Sequence, residues 1–157
     1  MADEKLSDVD NQVCIGGPND PVDHRAAEAI TPCMALTAAS TDGSVKPANG
    51  GVADENFYGV AGVPEWDAPD IDAEVAVDSP VPVHKKGSGA ECWMFLAPAA
   101  GPIPVEEGDI LILSSTDGYV EKGDESSAAA KAGQVVGVCR KGSPGHATDR
   151  KMILVKI

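Results

Sequence analysis

Aromatic residues are scarce in this chain: two Trp, two Tyr and two Phe among 157 residues. A buried core must therefore rest on Val, Ile, Leu, Ala and Met. Basic residues are also few, 12 against 25 acidic ones, for a net charge of −13. Such a surface repels phosphate and excludes nucleic acid as the expected partner. Long apolar runs are missing. The longest, Cys92 to Ala100, contains a proline and is too short to span a bilayer, so no membrane partner is expected. The start, Met1 to Asp8, is charged and has no apolar core, so it does not read as a secretory leader. The cysteines are Cys14, Cys33, Cys92 and Cys139. They are sparse for a disulfide scaffold, and no two stand at metal-ligand spacing. Buried free thiols are the default expectation, with Cys14–Cys33 the one pair to test as a bridge. No long segment carries a 3.6-residue apolar period, and this predicts an all-β fold.

What the chain does have is a repeated phrase. Residues 41–45 read Thr-Asp-Gly-Ser-Val, and residues 116–120 read Thr-Asp-Gly-Tyr-Val. The first copy leads to Tyr58-Gly59-Val60 and then to an alternating run over 72–77; the second leads to Val136-Gly137-Val138 and then to 151–156. Three landmarks in the same order predict a duplicated β-unit: strand, Asp-Gly hairpin, strand, loop, Gly-Val strand, loop, strand. Two such units predict a small β-barrel or sandwich. Asp-Gly between apolar runs is the signature of a type I′ hairpin turn, which makes Gly43 and Gly118 the turn-critical residues. Gly and Pro together supply 29 residues, as suits many short strands and turns.

Residues 1–28 are polar and turn-rich, and read as an extended N-terminal arm; 29–157 reads as the β domain. Within the arm, 22–30 is expected to be extended rather than helical. Strands are expected through 34–36, 57–63, 74–83, 91–97, 110–113, 134–139 and 152–157, with Pro80 and Pro82 marking an edge. A short helix is an option over 126–131. The charge is unevenly placed. Residues 1–84 hold 16 acidic and 3 basic side chains, and residues 85–157 hold nine of each.

From about Ala29 onward the chain resembles the capsid decoration, or cement, proteins of tailed double-stranded DNA viruses. The residues that carry the resemblance are Ile30-Thr-Pro-Cys-Met-Ala-Leu36, Asp42-Gly-Ser-Val-Lys-Pro-Ala48, Val105-Glu-Glu-Gly-Asp-Ile110 with Asp117-Gly118, Val136-Gly-Val138 and Ile153-Leu-Val-Lys-Ile157. Cys33 stands where the family pattern has glycine. The resemblance implies a non-enzymatic β-barrel that binds the outer capsid surface as a homotrimer. By the same resemblance its partner is the major capsid protein, it bridges neighbouring capsomers, and it is made in the host cytoplasm and carried on the virion. It implies no cofactor and no catalytic residues.

The residues themselves offer little chemistry. Glu106, Glu107 and Asp109 flank Gly108 and read as an acid-rich surface turn rather than a tuned carboxylate pair. Asp67, Asp70, Asp72 and Glu74 supply oxygen ligands, but a calcium loop counted from Asp70 would have Val75 where it needs glycine, so no metal is assigned. His84 and Cys92, eight residues apart, are conceivable as a thiol–imidazole pair, without an evident third group. Trp93 reads as core. The candidate capsid or subunit interface is Trp66, Asp67, Asp70 and Asp72, with Lys85 and Lys86 as contacts to an acidic neighbour. The alternative function is a virion surface module binding host glycan or receptor, for which only Trp66, Tyr58 and Tyr119 are on offer as aromatic platforms.

Overall fold

The computed structural model describes residues 3–64 and 70–157. Among them are eleven strands and two short α-helices, so the fold is all-β. In chain order these are α1 (Leu6–Val9), β1 (Cys14–Gly16), β2 (Val22–Ala26), β3 (Ala35–Ala38), β4 (Ser44–Pro47), β5 (Gly59–Ala61), β6 (Pro80–Lys85), β7 (Glu91–Leu96), β8 (Ile110–Leu113), β9 (Val120–Lys122), α2 (Glu125–Ala130), β10 (Val135–Lys141) and β11 (Lys151–Lys156). Asp124 caps α2, its side chain accepting from the Ser127 amide at 2.7 Å.

Strands β2-β4-β3-β5-β6 form a closed barrel. The remaining sheet has the order β1-β7-β11-β10-β8-β9, and a parallel pairing of β7 with β9 closes its last five strands into a second ring. The two rings follow one plan. In each, a hairpin (β3–β4, β8–β9) is flanked by a Gly-Val strand on its first arm (β5, β10). Each ring is closed by an antiparallel last strand (β6, β11) and a strand lying parallel to the second arm (β2, β7).

The registers match pair by pair. Leu36 faces Gly59 and Ala35 faces Val60, as Leu111 faces Gly137 and Ile110 faces Val138. Val60 faces His84, and Val138 faces Lys156. Irregular segments match too. Cys33 N donates to Ala61 O and Ala61 N to Met34 O, while Gly108 N donates to Cys139 O and Cys139 N to Asp109 O. The Asp-Gly turns are closed by Ala39 N to Ser44 O and Ser44 N to Thr41 O in one unit, and by Ser114 N to Tyr119 O and Tyr119 N to Thr116 O in the other. The duplication is therefore written into the backbone, residue for residue.

Four expectations need correction. First, the N-terminal arm expected over 1–28 is, over the described residues 3–28, part of the folded body. β2 is the opening strand of the first barrel, the counterpart of β7, and β1 pairs with β7. Leu6 and Val13 are buried in the core that the second barrel shares with the first. The physical reason is that β7 is apolar on both faces and needs a cover. Second, the last strand of the first unit is β6, not 72–77; from that run only Val75 pairs, with Ile30. Third, β6 is not an edge. It pairs with both β2 and β5, and Pro82 serves the ladder as an acceptor, taking the Gly62 amide at 2.7 Å. Fourth, the hairpin turns are not type I′, which needs a left-handed backbone at both central residues. Only Gly43 (φ 76°) and Gly118 (φ 80°) are left-handed, the requirement of a type II turn. Cys33, where glycine was expected, does take a glycine conformation: its φ is 81°, and its counterpart Gly108 has φ 93°.

Candidate functional site

The most chemically distinctive place in the molecule lies where the N-terminal segment meets both barrels. Cys14 on β1 faces Cys92 on β7 across an antiparallel pair. His84 on β6 reaches the same point from the first barrel. The two sulfurs and one imidazole nitrogen all lie within 4.8 Å of one another, and all three residues are buried. Cys14 and His84 line a groove of about 860 Å³ whose rim includes Asn11, Asn19 and Asp23. Gly62 makes room for the ring: a Cβ there would stand 3.2 Å from Nε2 of His84.

Burial sets the protonation of this cluster. It pushes the Cys92 thiol up, and the neighbouring Cys14 adds to the rise. Burial also pushes the His84 imidazole down. Both shifts favour the uncharged forms of Cys92 and His84. Cys14 Sγ donates weakly to Gly16 O at 3.4 Å. All four cysteines are free, and Cys14 looks toward Cys92, not toward Cys33. The structure brings together His84 and Cys92, which the sequence offered as a pair, but nothing in local spacing announced Cys14. Cys14 and Cys92 are far apart in sequence, and only strand pairing joins them.

The other residues singled out from the sequence are dispersed. Asp72 accepts from the Ser7 amide at 3.2 Å and from the Ser7 hydroxyl, so it fastens α1 to the first barrel. Asp70 accepts from the Asp72 amide at 2.9 Å and holds its own turn. Lys85 lies 5.7 Å from the Tyr58 ring centre at the end of β6, and Lys86 follows it on the surface. Trp66 and Asp67 lie outside the described residues. Trp93 is core, as expected. The 106–109 acids form a turn: the Asp109 carboxylate accepts from the Glu106 amide at 2.8 Å and pairs with Lys122 at 3.4 Å. The amide bond and then Lys122 hold the Asp109 carboxyl below its usual range.

Tyr58 and Tyr119 spend their hydroxyls internally, on His24 at 2.8 Å and on Arg150 at 3.2 Å. Arg150 also ties down the N-terminus. Its Nε donates to Glu4 O at 3.0 Å, its amide donates to Asp3, and its guanidinium sits 4.0 Å from the Phe95 ring centre.

No protein-family model and no curated protein matches the chain. Among solved structures it is similar to the N base of head fiber gp8.5 of bacteriophage phi29. The identity is 15% and the TM-score 0.46, over 88% of this chain and 92% of that one. A likeness of that degree assigns neither fold nor function.

Proposed function

We propose that this chain is a non-enzymatic structural protein of a tailed-virus particle, binding the outer face of the capsid and bridging neighbouring capsomers. One observation carries the reading. The motifs through which the sequence resembles decoration proteins fall at matched positions of a duplicated barrel. Ile30 to Leu36 and Val105 to Leu111 enter equivalent hairpins through equivalent left-handed residues, Cys33 and Gly108. These motifs thus specify the backbone plan of a compact double barrel, the kind of rigid body suited to shape-complementary docking.

The proposed partner is the major capsid protein, and the proposed assembly is a homotrimer. Contact is through apolar surface, with the acidic residues of the first unit facing solvent. Among the described residues, six large apolar side chains stand exposed: Ile15, Val22, Val52, Val77, Ile103 and Val138. Raising salt then leaves occupancy unchanged or increases it, because screening relieves repulsion between crowded acidic copies.

The deciding experiment is quantitative mass spectrometry and cryo-electron microscopy of purified particles from an infection that produces the chain. The expected result is density on the outer shell, with a copy number tied to capsid symmetry. Absence from particles overturns the proposal. Release on raising salt overturns the apolar contact and points to docking through charges such as Asp70 and Asp72.

A further inference from the structure

The docking proposed above makes no use of the Cys14–His84–Cys92 cluster, whose composition is not that of an ordinary core. We infer that Cys14, His84 and Cys92 form a binding site for one zinc-class metal ion, which staples β1 and the two barrels together. Three observations carry this. The first is donor type: two sulfurs and an imidazole are the set that a soft tetrahedral ion takes. The second is convergence. The three come from three separate segments, β1, β6 and β7, yet their ligand atoms lie within 4.8 Å. Tetrahedral zinc with bonds of roughly 2.0–2.3 Å spaces its ligands about 3.5 Å apart, so closing on the ion takes about 1 Å of adjustment. The third is the histidine. Two facing cysteines alone would suit a disulfide, but a disulfide makes no use of an imidazole. His24 and His146 bond to protein groups through their ring nitrogens, and among the described residues His84 does not.

Charge balance fits burial. Two thiolates and a neutral imidazole around a divalent cation make a centre of zero net charge, which a buried place tolerates far better than a lone thiolate. Binding forms two metal–sulfur bonds and one metal–nitrogen bond, and releases the two thiol protons to solvent. Cys14, His84 and Gly62 also line the groove, from which water or an outside ligand can complete the shell. The centre is not duplicated. By strand register, Val22 stands in the first barrel where Cys92 stands in the second, and Lys156 stands where His84 does. It belongs to the junction and not to either unit.

The test uses the full chain, metal-stripped and reduced without oxygen by a phosphine. Cobalt(II) is the first probe. The expected result is one equivalent bound, with a thiolate-to-cobalt charge-transfer band that zinc abolishes by displacement. X-ray absorption on the zinc-loaded wild type should show two sulfur neighbours and at least one nitrogen, and needs no variant to fold. Cys14→Ser, Cys92→Ser and His84→Gln should each weaken binding by more than about 100-fold, beyond the loss usual for groups that only orient a ligand. Cys139→Ala should bind as the wild type does. A zinc shell without sulfur, an undiminished band in Cys14→Ser, or a reduced chain that takes no metal and only forms a Cys14–Cys92 disulfide on oxidation would each overturn the inference.

Discussion

The first barrel and the second share a hydrogen-bond plan and almost nothing of their filling. The first is packed by aliphatic residues without an aromatic: Ala26, Ile30, Leu36, Val45, Ala61, Val75, Val81 and Val83. The second holds Trp93, Met94, Phe95, Leu96, Leu111, Leu113 and Ile153, and its core continues into Leu6, Val13 and Phe57. The opening strands show the contrast best. β2 is mostly exposed, while its counterpart β7 is buried nearly throughout, because the N-terminal segment covers it. Arg25 of β2 corresponds to Phe95 of β7, since each pairs with the matching residue of the closing strand. Turn and close-approach chemistry is thus kept between the copies, while side chains have diverged with what each barrel must cover. At Gly59 and Gly137 alike, an added Cβ would strike the carbonyl of the next strand, at 2.5 Å from His84 O and 2.0 Å from Lys156 O.

The sharpest way to break this contrast is to remove the cover. Deleting residues 1–21 leaves β2 in place but strips Leu6, Val13 and β1 from the second barrel. Each such side chain contributes about 1.5–3 kcal/mol. The loss of about 3–6 kcal/mol approaches the whole stability of a small protein. The deleted chain should melt far below the full one by circular dichroism. An unchanged midpoint would mean that the second barrel needs no cover.

Next in size is a matched pair of core truncations. Phe95→Ala should cost about 3–5 kcal/mol. Val83→Ala, in the smaller core of the first barrel, should cost about 1.6 kcal/mol, two methylenes' worth. Urea unfolding of both variants measures the difference, and equal losses would show that the two cores carry equal weight.

The turn glycines give a smaller and cleaner comparison. Each has positive φ, so alanine at either costs about 1 kcal/mol of backbone strain. At Gly43 nothing lies within 4 Å of the added methyl, whereas at Gly118 it would meet Met34 Cγ at 2.7 Å. Gly118→Ala should therefore be the more damaging of the two in the same urea assay.

The smallest effect is on pH dependence. Burial lowers the folded-state pKa of His84 below its ordinary value of about 6.5. The unfolded chain then binds the proton first, so stability is full above that value and falls as pH drops below it. His84→Gln should flatten the stability profile between about pH 5 and 7.

Much of the second barrel was legible, because Ile110-Leu-Ile-Leu113, the run from Cys92 and the closing strand are dense apolar segments bounded by Gly turns. The repeat was legible through Thr-Asp-Gly and Gly-Val, because backbone geometry there tolerates few residues. β2 was misjudged as arm because Val22-Asp-His-Arg-Ala26 has an exposed, polar face and no apolar alternation. β6 was misplaced because its prolines suggested an edge, and only the register shows that its carbonyls suffice. Of the cysteine–histidine cluster, His84 and Cys92 were legible as a pair eight residues apart, whereas Cys14 left no local trace, since only the β1–β7 pairing brings it there.

One consequence of the β1–β7 pairing concerns how the chain is made. Synthesis delivers Val13 and Cys14 well before their partners on β7, which emerge only after the whole of the first barrel has left the ribosome. Until then this leading segment has nothing to cover and its apolar groups are open to solvent or to a chaperone. This segment is thus seated only after the first barrel is made, and its docking on Cys92 and Trp93 ties that barrel to the strand that opens the second.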